Sequence, residues 1–402
     1  MKHWRPNFEF PWRTLNAIIG GASAIDVPCL YLNTLEEAEE FLACYGYHWS
    51  KDEHRAEIEW IRSQAVEFIE GSLLVDTALQ IPKPLVQQRD VRTLLLWASR
   101  SRHAQPGDRD QQWTCALLRV MHTMAHAQTY FNRRFGEQIR EQILAPFRPH
   151  LHGSPDRPGG MTLGEAGADA IPIVSFDVKH TKPLSSVVMK LLLKAENVAV
   201  DIFDRVGVRF VTQERFDTLL VVHYLRTHNI IMFANIKPSR SRNTLIDLEW
   251  LRAEMKLAND AAEPLSKEEW LHWLRRVSRE GPLPELTVNL NPLSATDYRS
   301  VQFTCRQLIR LQDPCNAELL EVLEECEARL GPDDPLVESL RLRCTHEKEI
   351  RFFFPFEVQI LDQSSFSDSR TGRSSYDEYK TRQVKVAQRR VLGPLLDNLP
   401  DS

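Results

Sequence analysis

Three polar side chains stand four residues apart in one stretch of the chain: Lys182, Ser186 and Lys190. On a helix running from about Lys179 to Lys194, that spacing puts them on one face. Two ammonium groups and a hydroxyl at the start of a helix can cradle a phosphate, because the helix N-terminus itself favours anions. Immediately downstream, Val198 to Val211 reads as a buried strand interrupted by Asp201, Asp204, Arg205 and Arg209. Charges in an apolar strand are costly unless they are paired or bind something. A salt-bridged strand end accounts for them, and so does a binding site. A second polar pair, Glu357 and Gln359, alternates along a strand that also carries Phe352, Phe353, Phe354 and Phe356. Both therefore point to one face, which either lines a pocket or is the solvated side of an edge strand.

These stretches resemble the RelA/SpoT-type nucleotide pyrophosphokinases, the alarmone synthetases. HTKPLSSVVMK is similar to their R-x-K-x-x-x-S-x-x-x-K element, and DRVGVR, Asp204 to Arg209, to their D-x-x-G-x-R. DYRSVQF at 297–303 is similar to their G-Y-x-S-x-H, and FEVQIL at 356–361 to their E-h-Q-I-R-T. The four occur in the family's order over roughly residues 175–380.

The resemblance implies a Mg²⁺-dependent enzyme that moves the pyrophosphate of ATP onto the 3′-hydroxyl of a guanine nucleotide such as GDP or GTP. Such a reaction needs a cation against the triphosphate charge, carboxylates to hold that cation, and a base within reach of the hydroxyl proton. By the resemblance, Asp204 and Glu357 bind Mg²⁺, and Glu357 also activates the hydroxyl. His180, Lys182, Ser186, Lys190 and Arg209 surround the ATP. Tyr298 stacks on the acceptor base, Gln359 lies where that base is read, and the basic loop with Lys237 and Arg240 meets acceptor phosphates. The family's adenine-stacking arginine is His180 here, the histidine closing its G-Y motif is Gln302, and the arginine and threonine after Gln359–Ile360 are Leu361 and Asp362. These departures open two alternatives: the same transfer onto a tRNA 3′ end, or an inactive relative that binds nucleotide or docks a partner.

The elements that must position these residues follow from the pattern. The chain has 402 residues, 43% hydrophobic and 26% charged, enough for two or three domains. Residues 1–150 read as a helical N-terminal domain, with Thr34 or Asn33 capping a first helix. Residues 151–170 read as a turn-rich linker. Residues 171–402 alternate strand and helix, an α+β pattern, and the resemblance implies a nucleotidyltransferase-like mixed sheet. Helical insertions are expected at about 245–290 and 314–346, and NIIMFANI is expected as a strand. His122 and His126, at i, i+4 on a long helix, have the spacing to share a metal, but no third ligand or H-E-x-x-H glutamate accompanies them, and buried or partner-bonded histidines are the favoured reading. The family's helical hydrolase domains use a His–Asp pair that is not found here.

A net charge of −5 argues against a protein that coats nucleic acid. Seven scattered cysteines without a C-x-x-C pair fit reduced thiols, and no apolar run is long enough to span a bilayer. The expected setting is the cytoplasm without a membrane partner, with self-association left open.

Overall fold

The computed structural model describes residues 19, 23–26, 30–99, 108–127, 130–153, 160–165, 170–179, 183–193, 206–261, 265–285, 298–312, 314–344, 349–370 and 376–397. In chain order the N-terminal part forms α1 (Leu35–Cys44), α2 (Asp52–Phe68), α3 (Lys83–Gln87), α4 (Val91–Ser99), α5 (Arg109–Ala127) and α6 (Tyr130–Leu144). Then come β1 (Leu151–Gly153), β2 (Met161–Leu163), β3 (Ile171–Lys179), α7 (Leu184–Leu192), β4 (Gly207–Thr212) and α8 (Asp217–Thr227). They are followed by β5 (Arg242–Asn243), α9 (Leu248–Ala261), α10 (Lys267–Glu280), β6 (Val301–Gln312), α11 (Pro314–Leu330) and α12 (Pro335–Cys344). The chain closes with β7 (Glu349–Asp362), α13 (Gln363–Asp368) and α14 (Tyr376–Leu396). The protein is thus α+β: N-terminal helices, then a seven-stranded mixed sheet interleaved with helices.

The chain divides into two compact units. The first comprises Met1–Thr129, Lys182–Ile202 and Ser375–Ser402; the second, Tyr130–Thr181 and Phe203–Ser374. In the first, α1 starts where the Thr34 hydroxyl accepts the Glu37 amide at 3.2 Å, the cap its sequence suggests. Apolar faces of α2, α4, α5, α7 and α14 close on Leu73, Leu94, Trp113, Leu117, Val188 and Leu392, each about 1% exposed or less. Burying side chains of this size contributes about 1.5–3 kcal/mol apiece before entropy is counted.

In the second unit the strand order is β1-β2-β3-β4-β7-β6-β5. β4 and β7 run parallel, and the other pairs are antiparallel. One sheet face carries Val208, Phe210, Phe303, Cys305, Phe356, Val358 and Ile360 against Phe135, Ile139 and Ile143 of α6 and Val221 and Leu225 of α8. That packing fixes the register, since a one-residue slip would turn the whole apolar set to the other side.

Two expectations change. The helix expected from Lys179 begins only at Leu184, because Lys179 still pairs with Gly207 as the last residue of β3 and Pro183, at φ −58°, sets the helix start. NIIMFANI is not a strand: Ile230 and Ile231 are buried in a loop, a 3₁₀ turn covers Phe233–Asn235, and only Ile236 bridges Cys305. The strand expected over Val198–Val211 is β4 from Gly207 on; residues 194–205 lie outside the described ones. The turn-rich stretch after Gly153 lies between β1 and β2, which pair antiparallel. The insertions form α9–α10, around Leu245, Leu251 and Leu274, and α11–α12, around Leu323 and Val337.

Candidate active site

The face of the sheet opposite the core is polar. Its rows follow from the register. Lys179, Gly207, Glu357 and Thr304 lie side by side across β3, β4, β7 and β6. The next row is Asp177, Arg209, Gln359 and Gln302. β7 lies between β4 and β6, so Glu357 and Gln359 are on an interior strand and not on a solvated edge. They are 8% and 4% exposed.

A bulge in β3 places Lys179 on this face. Ile171 and Ile173 are buried in the core, yet farther along it is Phe176 and Val178 that pack there. The register shifts between Ile173 and Ser175, inserting one residue and exchanging the faces. Without that extra residue, Ser175, Asp177 and Lys179 would point into the core.

The polar side chains are joined by hydrogen bonds. Lys179 Nζ donates to Glu357 Oε2, and Gln302 Nε2 donates to Glu357 Oε1. A buried carboxylate needs such partners, because desolvation without them is costly. Arg209 Nε donates to Gln359 Oε1 at 2.9 Å. Arginine only donates, so the Gln359 oxygen must face it, and the amide nitrogen then donates to the Tyr298 hydroxyl. Burial pushes the Tyr298 phenol up to about 12; the Arg209 charge opposes that rise and the Glu357 charge adds to it. Tyr298 is fixed from behind: the Thr244 hydroxyl donates to its carbonyl at 3.1 Å and accepts the Ser300 amide at 3.0 Å.

Beyond this row, α13 folds back against β4 and β7. Its Phe366 ring lies 5.7 Å from the Arg209 guanidinium and 4.6 Å from that of Arg370, distances at which cation–π attraction operates. Asp362 is not an anion beside the site: it alternates away from Gln359, and its carboxylate caps α13 by accepting the Ser365 amide at 3.0 Å.

The structure therefore brings Arg209, Tyr298, Glu357 and Gln359 onto one face. The loop with Lys237 and Arg240 runs beside β6, where the Lys237 amide donates to the Thr304 carbonyl at 2.9 Å and both side chains are half-buried. Ser186 and Lys190 share a face of α7 in the first unit, where Ser186 accepts from Lys380 Nζ at 3.4 Å. His180, Lys182 and Asp204 lie outside the described residues. Lys179, Gly207 and the pairing of Gln302 with Glu357 were not singled out from sequence. The signals were the glycine within DRVGVR and the glutamine at the position of the family's histidine.

Mg²⁺ is commonly held by one or two carboxylates together with substrate phosphate oxygens. Glu357 is one carboxylate on this face, and its Oε2 already accepts from a cation, the Lys179 ammonium. Among the described residues no three His, Cys, Asp or Glu side chains gather as a metal site, the His122–His126 pair included. Those two rings are 4.4 Å apart, and His122 Nδ1 is hydrogen-bonded to the Tyr45 hydroxyl at 2.8 Å. No helix of the described residues is long and apolar enough to cross a membrane. Compared with known proteins, the chain matches no family model, no curated protein and no solved structure.

Proposed function

We propose that the polar face of the second unit binds nucleotide phosphates and supports Mg²⁺-dependent transfer of the pyrophosphate of ATP to the 3′-hydroxyl of an acceptor nucleotide, as in the alarmone synthetases the motifs resemble. One observation carries the reading. Three stretches far apart in sequence, DRVGVR, DYRSVQF and FEVQIL, contribute neighbouring strands β4, β6 and β7, and their polar side chains Arg209, Gln302, Glu357 and Gln359 share one face.

In this reading Glu357 and Asp204 would hold the ion, which would supply positive charge against that of the phosphates. The Glu357 carboxylate takes the proton of the attacking hydroxyl. Arg209 donates to ATP phosphate oxygens, and His180 stacks on the adenine. Tyr298 offers a ring face to the acceptor base, and Gln359 holds the Tyr298 hydroxyl and the Arg209 guanidinium in place. Lys237 and Arg240 serve the acceptor's phosphates. Positioning two nucleotides in line supplies on the order of 7–11 kcal/mol of the barrier.

A second reading is favoured by Glu357 itself. Both of its oxygens are already engaged, by Lys179 and Gln302, as in a site that binds nucleotide without turnover. Incubation with Mg²⁺ and ATP labelled in the terminal phosphate, over GDP, GTP and tRNA, separates the possibilities. Label entering GDP or GTP supports the first reading, and label entering tRNA moves the acceptor to an RNA 3′ end. Binding of a non-hydrolysable ATP analogue with no transfer supports the second reading. Intact ATP with no analogue binding contradicts both.

A further inference from the structure

Lys179 reaches Glu357 by an unusual route. The two residues are not on adjacent strands: β4 runs between them, and the residue it places in that row is Gly207. Strands stand about 4.8 Å apart, so the two backbones are separated by about 10 Å. Any side chain at position 207 would stand in the way, since a Cβ there would come 2.9 Å from Lys179 Cδ. The bulge in β3, the missing side chain at Gly207 and the length of lysine together deliver an ammonium group to a carboxylate that is 8% exposed. Lysine is a point charge on a flexible stem and makes no bidentate fork with a carboxylate. Its side chain keeps 23% of its surface, against 10% for that of Glu357, so the ammonium has room to leave.

We propose that Lys179 is the resident counter-cation of Glu357: it neutralises the carboxylate in the empty site, and a divalent ion arriving with nucleotide displaces it toward the nucleotide's phosphates. This rests on the reading of Glu357 as a metal-binding carboxylate. It makes Lys179 a positioning residue that couples metal binding to phosphate binding, because either partner alone leaves one charge poorly matched. The ion and Lys179 compete for one carboxylate when nucleotide is absent, and no longer compete once phosphates accept the ammonium.

Mn²⁺ binding by the full-length protein, followed by electron paramagnetic resonance without nucleotide, tests this. Lys179→Met keeps the stem and removes the competing charge, so Mn²⁺ affinity rises on the order of tenfold or more. Lys179→Arg keeps the charge and grips the carboxylate more firmly, so Mn²⁺ affinity falls. With a non-hydrolysable ATP analogue present, the advantage of Lys179→Met shrinks, and the variant binds the analogue more weakly than the unaltered protein. Circular dichroism establishes that each variant is folded; should Lys179→Met fail to fold, the Lys179→Arg comparison decides alone. Unchanged or weaker Mn²⁺ binding in Lys179→Met, or unchanged binding in Lys179→Arg, overturns the proposal. Glu357→Gln separates this failure from that of the underlying reading. If it abolishes Mn²⁺ binding while Lys179→Met changes nothing, only the displacement idea falls. If Mn²⁺ binding does not depend on Glu357, both fall.

Discussion

The side chain of Lys179 passes over the bare backbone of Gly207 to reach Glu357, so one glycine on β4 decides which charges meet. A methyl group at position 207 would crowd Lys179 Cδ at 2.9 Å while standing an ordinary 3.5 Å from the Glu357 carbonyl. The flexible lysine yields, and the strand does not. Gly207→Ala therefore folds, but it leaves the Glu357 carboxylate without its ammonium partner and is expected to cost about 1–3 kcal/mol by urea unfolding. Its Lys179 is released, and acetylates faster than in the unaltered protein when chemical labelling is read by mass spectrometry. Equal labelling of Lys179 in the two proteins would contradict the contact.

Gln359 links Arg209 to Tyr298, and its removal leaves both without that partner. Gln359→Leu is expected to cost about 1–3 kcal/mol, the range for stranding buried polar groups. The burial of Tyr298 has a spectroscopic signature of its own. The Tyr298 phenol, at about 12, lies above the ordinary 10.0. A group raised in this way contributes stability below pH 10, and that contribution is lost as pH rises from 10 toward 12. The ultraviolet difference between the protein and Tyr298→Phe should show one tyrosine ionising near pH 12.

Asp217, fully buried at the start of α8, is held by Arg275 of α10 through bonds of 2.8 and 3.1 Å. Burial nevertheless raises its carboxyl above the usual value, although the Arg275 hydrogen bonds and charge pull it down. Desolvation thus outweighs the attraction. Arg275→Met alone strands the acid and is expected to cost about 3–5 kcal/mol. Adding Asp217→Asn should recover most of that loss. Thermal melts of the single and double variants measure the difference.

His122 lies in the first unit, where burial and then the charge of His126 hold its imidazole down to about 4 from 6.5. The unfolded chain takes up that proton first, so stability is full above pH 6.5 and falls as pH drops toward 4. His122→Asn should remove a pH-dependent loss of roughly 2–3 kcal/mol over that interval. Melting temperatures of the two proteins against pH, converging above pH 7, would bear this out; parallel curves would contradict it.

Much of the fold could be read from side-chain periodicity. Long apolar-striped segments such as α5, α10 and α14 announce themselves, and the alternation through FEVQIL places Glu357 and Gln359 together. The exchange of faces in β3 could not be read that way. A bulge breaks a period of two without leaving a residue type behind, so Lys179 looked like the first turn of a helix and not a strand residue aimed at Glu357. Asp362, three residues after Gln359, alternates off the face that Gln359 occupies and caps α13. Ile230 and Ile231 resemble a strand in composition, but they are buried from a loop, as part of the core of the second unit.

In the proposed reaction Glu357 takes the proton of the hydroxyl whose attack releases AMP. AMP release with Mg²⁺ and the best acceptor should be compared in the unaltered protein and in Glu357→Gln, which keeps the size of the side chain and loses its charge. Release should fall by about a hundredfold or more in the variant while a non-hydrolysable ATP analogue still binds. An unchanged rate of AMP release in Glu357→Gln would contradict it.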